Sequence, residues 1–147
     1  QGYRPGCERK MIGILVVTHA NLGSALIETA EFVLGSEQEN LKSLSINIQE
    51  DPESLRKKIK SGISKVKTDA GVIILTDMFG GTPSNLSYSF LEEGRVEVIS
   101  GVNLPILLKA VNSRKKMDME KLTASLVDHG KRSISLASGI LKGTKRA

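Results

Sequence analysis

Two apolar runs in this sequence end in residues able to do chemistry. The run IGILVV closes on Thr18 and His19, and the run GVIILT closes on Asp77. An imidazole attacks through the lone pair of one ring nitrogen. A carboxylate can accept the hydrogen on the other nitrogen, fixing tautomer and orientation. Directly after Asp77 comes MFGGTPSN, Met78 to Asn85. Gly80 and Gly81 let the backbone bend closely with no side chain in the way. Thr82 and Pro83 open a helix, whose free N–H groups and dipole attract an anion such as phosphate. The hydroxyls of Thr82 and Ser84, with Asn85 beside them, add donors for phosphoryl oxygens. The chemistry these parts suit is phosphoryl transfer through histidine. One tension comes with it: Asp77 also favours the protonated imidazole, which cannot attack, so the pair has to be tuned.

Taken singly, each feature has a plainer use. A histidine at a strand end commonly serves as a polar cap, an aspartate commonly caps the following turn, and GGTP is a routine helix start. Their weight depends on whether the fold brings them together, and that is a question about the elements that carry them.

Ile12 to Val17 is a short β-branched run with the signature of a strand buried on both faces. From Leu22 the period changes: Leu22, Ala25, Leu26, Thr29 and Val33 form a helical stripe that Gly35 closes. Leu41 to Ile48 alternates as a second strand. Asp51 and Pro52 then open a helix with the stripe Leu55, Ile59, Ile63, Val66. Gly71 to Thr76 reads as a third strand, followed by a helix capped by Thr82 and ended by Gly94. Arg95 to Ser100 is a fourth strand and Leu104 to Val111 a short helix. Met119 to Lys142 reads as one long helix carrying Leu122, Leu126, Ile134, Ala137 and Leu141, weakest at Gly130.

The order βαβαβαβαα implies right-handed crossovers and an α/β fold: a small, doubly wound, mainly parallel sheet of order 2-1-3-4 with helices on both faces. Ligands of such sheets bind beyond the carboxyl ends of the strands where the order reverses, here between strands one and three. The topology therefore brings His19 and Asp77 to one crevice.

Bulk properties agree. The chain has 147 residues, 39% hydrophobic and 25% charged, the composition of an ordinary globular protein. The formal charge of +5 comes with no Trp, two Tyr and three Phe, so platforms for stacking bases are scarce and no nucleic-acid partner is expected. An acidic or phosphorylated protein partner fits that charge. No run approaches a membrane span. Cys7 alone forms no internal disulfide, and one imidazole with one carboxylate is too small a ligand set, so neither a metal nor an organic cofactor is expected. A cytoplasmic setting is the default. Residues 1–10 read as a disordered leader or cloning remnant, 11–147 as a single domain, and His129 as a surface residue.

The blocks IGILVVTHANLGSALIETAEFVLG, VIILTDMFGGTPSN and VEVISGVNLPILLKA closely resemble the mannose-type IIA component of the bacterial phosphoenolpyruvate:sugar phosphotransferase system, from about Met11 to near Leu141. The resemblance implies that His19 accepts a phosphoryl group from the phosphocarrier HPr, supported by Asp77. It also implies passage of the group to a IIB component that serves sugar uptake through a IIC/IID membrane permease. Gly80, Gly81, Thr82, Ser84 and Asn85 match the family's phosphoryl-binding loop, and Ser100 to Pro105 a second active-site loop. It further implies a phosphotransferase with a phosphohistidine intermediate, a separate IIB polypeptide and a homodimer, although KGTKRA does not read as the edge strand some relatives use. The alternative within the same fold is a regulatory phosphohistidine module or a dihydroxyacetone-kinase phosphoryl donor. A flavodoxin lacks support because THANLGSA is no T-x-T-G loop. A response-regulator receiver would need acids where Thr18 and His19 stand.

Overall fold

The computed structural model describes residues 11–78 and 80–142. Four strands, β1 (Gly13–His19), β2 (Leu41–Ile46), β3 (Val72–Thr76) and β4 (Val96–Ser100), form one sheet. All pairings are parallel and the order is β2-β1-β3-β4. The central strands β1 and β3 are buried almost throughout, which is why their sequences read as continuous β-branched runs.

Successive residues of a strand face opposite ways. Ile14, Val16, Ile73 and Leu75 thus meet α1 (Leu22–Leu34), α4 (Leu104–Ser113) and α5 (Met119–Arg132) through Ala30, Ile106, Leu107, Leu122 and Leu126. Leu15, Val17, Val72 and Ile74 meet Leu55, Ile59 and Val66 of α2 (Pro52–Val66) on the other face. The start of α2 is as expected: the Asp51 carboxylate accepts from the Ser54 N–H at 3.1 Å, and Pro52 occupies the first turn.

Several local expectations need correction. In α1 the buried residues are Gly23 and Ala30, with Leu26 and Ile27 half-buried, whereas Leu22 and Val33 face out. Gly23 packs closely on Thr18, Val16 and Ser43, where a Cβ would lie 3.2–3.3 Å from each, and it is this glycine with Ala30 that faces the sheet. The strand β2 stops at Ile46, leaving Ile48 exposed. The helix after β3 is a short α3 (Thr82–Ser87) followed by one 3-10 turn, Tyr88–Phe90. Its N-cap is Gly81, without a side-chain cap, so Thr82 is the first helical residue rather than the cap.

The long C-terminal helix is in fact two, α5 and α6 (Ala137–Leu141). Ser133 ends the first by donating its hydroxyl to the Gly130 carbonyl at 2.7 Å, the local side-chain competition that disfavours helix interiors. Ile134 and Leu136, read as part of one helix, lie outside both, and Ile134 is exposed rather than inside the core. His129 is half-buried in the last turn of α5. Residues 1–10 and 143–147, which hold all of KGTKRA but its first lysine, lie outside the described residues.

Candidate functional site

The parallel register sets the site. Val17 pairs with Thr76, so His19 and Asp77 emerge side by side at the carboxyl ends of β1 and β3. Asp77 Oδ2 accepts two hydrogen bonds from one residue: the His19 backbone N–H at 2.9 Å and the ring Nδ1 at 2.8 Å. Its other oxygen accepts the Met78 N–H at 2.9 Å. Burial opposes the charge on Asp77, but the His19 amide, the His19 ring and the Met78 amide outweigh it and hold the carboxyl below its ordinary value. An ionised carboxylate on Nδ1 places the ring hydrogen there and leaves the lone pair on Nε2. The imidazole keeps 38% of its side-chain surface exposed against 11% for the aspartate. The ring is open and its partner is shielded.

The glycine turn closes the other side. A Cβ on Gly81 would lie 3.0 Å from His19 Cε1 and 3.6 Å from Nε2, so the absence of a side chain there lets the loop approach this edge of the ring without displacing it. Gly80 adopts the left-handed region, φ 86°. Ser84 is fully buried: its hydroxyl accepts from the Gly80 N–H at 3.1 Å and donates to the Gly81 carbonyl at 3.0 Å. In this conformation it shapes the turn and its one donor is spent. Asn85 is exposed and donates to the Gly80 carbonyl at 3.3 Å, while Thr82 is half-buried at the start of α3.

The loop after β4 completes the rim. The Gly101 and Val102 amides both donate to the Thr76 carbonyl, at 3.0 and 2.9 Å. Thr76 donates its hydroxyl to Ser100 at 2.8 Å, and Asn103 caps α4 by accepting from the Ile106 N–H at 2.9 Å.

Sequence reasoning missed what holds the turn after His19. Thr18 is buried and its hydroxyl accepts from the Gly23 N–H at 2.8 Å, while Ser45 of β2 donates to the Ala20 carbonyl. Thr18 carried a faint signal, since a hydroxyl just before a helix start is a natural partner for an orphan amide. Ser45 carried none, because an exposed serine on an alternating strand looks like any solvated position.

A small doubly wound α/β sheet with an imidazole–carboxylate pair at its switch point is the class of protein that fold and site define. Comparison with known proteins narrows this. The EIIA-man family, described as PTS system fructose IIA component, matches residues 13–127. A fructose-specific EIIA component from Bacillus subtilis (strain 168) is 30% identical over 93% of this chain and 94% of its own length. A mannose-specific EIIAB component from Escherichia coli (strain K12) is 34% identical over 84% of this chain, which spans only 38% of that protein. Among solved structures, a phosphotransferase system component EIIA from Streptococcus agalactiae superposes with a TM-score of 0.77 at 25% identity, covering 87% of this chain and 98% of that one. The chain belongs to the EIIA-man family, whose members are phosphotransfer components of the sugar phosphotransferase system.

Proposed function

We propose that His19 is the phosphoryl carrier of this chain, loaded by phospho-HPr and discharged to a IIB component that serves sugar uptake through a IIC/IID permease. The observation that carries this reading is the Nδ1–Asp77 hydrogen bond, which leaves Nε2 as the open, nucleophilic nitrogen beside the Gly80–Gly81 turn.

In the step proposed, the Nε2 lone pair attacks phosphorus and forms a new N–P bond. The N–P bond of the donor histidine breaks, and its electron pair stays on the donor ring. The His19 ring becomes cationic as the bond forms, and the ionised Asp77 offsets that charge through the Nδ1 hydrogen. Donors in the turn, from Gly81 to Asn85, receive the phosphoryl oxygens, with Ser84 acting by shaping the loop. Transfer onward to IIB is the same step reversed with a different ring. Exchange of this kind rests on positioning and electrostatics, without a metal or organic cofactor.

Residues 11–147 act in this reading as one IIA domain in the cytoplasm; among the described residues no helix is long and apolar enough to cross a membrane. A homodimer is supported by the outer edge of β4, which among the described residues is met only by the Glu92–Val96 bridge, and by the apolar Ile134 and Leu136, 81% and 75% exposed.

The test is labelling from radioactive phosphoenolpyruvate with enzyme I and HPr. Wild type takes up acid-labile phosphate that chases to a IIB protein. His19→Ala takes up none. Acid-labile label retained in that variant overturns the assignment.

A further inference from the structure

The residue after His19 is held in a conformation it would not choose. Ala20 has φ 48°, in the left-handed region where a Cβ is penalised and which glycine enters freely. The Ala20 carbonyl accepts the hydroxyl of Ser45, which lies on the neighbouring strand opposite Thr18 in the register. On the same side of the sheet, Thr18 ties the Gly23 amide at the start of α1. The turn of Ala20 and Asn21 is thus fastened at both ends by hydroxyls, one of them supplied by another strand.

This fastening bears directly on the imidazole. His19 is the last residue of β1, and its backbone N–H and its ring both bind the same Asp77 oxygen. The carbonyl that Ser45 holds belongs to the peptide after Ala20. With Gly23 tied back to Thr18, a change of φ at Ala20 has to be absorbed by the backbone torsions of its neighbours, His19 among them, and that would disturb the two-point contact. We infer that Ser45 is a positioning residue for His19: by holding the Ala20 carbonyl it keeps the turn left-handed and Nε2 aimed at the crevice. The inference rests on the relay reading for its effect on rate, but the clamp itself is a property of the free protein.

The experiment combines kinetics and amide exchange. Ser45 is exposed, so Ser45→Ala should fold as wild type does. Its single-turnover rate of phosphoryl uptake at saturating phospho-HPr should fall about tenfold, with half-saturation by HPr unchanged. Ser45→Thr, which keeps the hydroxyl, should restore the rate to within about twofold. The decisive arm uses Ala20→Gly, where glycine holds the positive φ without help. In that background, Ser45→Ala should cost less than about twofold. Independently of any phosphoryl donor, exchange of the His19 amide should quicken in Ser45→Ala and be slow again in Ser45→Thr.

An unchanged rate and unchanged His19 exchange in Ser45→Ala overturn the inference. So does an equal loss in the wild-type and Ala20→Gly backgrounds, since Ser45 would then not act through that turn. Failure of wild type to take label on His19 overturns the relay reading instead, and the exchange arm still decides the clamp.

Discussion

The two ends of the sheet each hold a charged group that burial penalises, and they treat it differently. At the amino end, Arg114 is 2% exposed, and its guanidinium donates to the carbonyls of Ile12, Asn40 and Glu39 at 3.5, 3.1 and 2.6 Å. Burial pushes its pKa down and the nearby Glu39 partly restores it. At the carboxyl end both oxygens of Asp77 accept hydrogen bonds, but the half-exposed ring it binds keeps one nitrogen without a hydrogen bond among the described residues. A buried charge is tolerated when its hydrogen bonds are met. Where a buried charge spends its hydrogen bonds on backbone carbonyls the group is structural; where its partner keeps a ring nitrogen uncommitted, chemistry is possible. The same sheet provides both, at opposite poles.

Substitutions at each pole should separate these roles. Asp77→Ala removes both the orienting hydrogen bond and the negative charge beside the ring. Phosphoryl uptake by His19 should fall by about 1,000-fold in single-turnover assays while the fold persists. A loss smaller than about tenfold would mean that the Gly81 turn alone orients the imidazole. Arg114→Ala should do the converse. It takes the buried guanidinium away from the Ile12, Asn40 and Glu39 carbonyls, of which Asn40's keeps the Ile14 N–H, and should cost about 3 kcal/mol, lowering the melting temperature by roughly 10 °C. Label taken up per folded molecule should not change. If it fell in proportion to stability lost, the two poles would be coupled and the contrast between them would fail.

Much of this division was legible in the sequence itself. The buried runs of β1 and β3 announced parallel central strands, alternation with helices announced the order, and the order placed His19 beside Asp77. Those inferences rest on periodicity and topology, which tertiary context rarely overrides. What was not legible was set by single contacts. In α1 the face turned to the sheet carries Gly23, lying against Thr18 and Val16, and Ala30, and no helical stripe reveals such a close approach. The break after α5 depends on one serine hydroxyl turning back on Gly130. Within the site, Ser84 read as a phosphoryl donor, yet its hydroxyl is committed to the turn, and Ser45 acts across strands that pair only once folded. Residue type was readable from the sequence; hydrogen-bond direction was not.

A smaller effect probes how closely the loop must approach the ring. Gly81→Ala places a Cβ 3.0 Å from His19 Cε1, tighter than ordinary van der Waals contact, so either the ring or the loop shifts by a few tenths of an ångström. The N-cap backbone at Gly81 is extended, φ −84°, and alanine adopts it without strain. Stability should therefore change little, while phosphoryl uptake falls about tenfold. A variant with full activity would show that the turn has room to retreat. The glycine would then be a matter of local folding and not of the site.

The smallest effect concerns acid. The folded state holds the Asp77 carboxyl below its ordinary value, because the His19 amide, the ring and the Met78 amide together outweigh burial. The unfolded chain lacks these contacts and titrates near the ordinary carboxylate value of about 3.9. Above that pH neither state binds the proton, and the contribution of Asp77 to stability is fully present. As pH falls through the ordinary value, the unfolded chain takes up a proton first, so stability falls with it. The loss continues until the folded carboxyl is protonated too. Urea denaturation at pH 6 and at successively lower pH should therefore show a steeper decline in wild type than in Asp77→Asn, which has no proton to exchange there. Arg114 stays charged throughout this range, so Arg114→Ala should keep the wild-type slope from its lower starting point. Equal slopes in wild type and Asp77→Asn would mean that the carboxylate gains nothing from its three donors, and the electrostatic half of the contrast between the two poles would be lost.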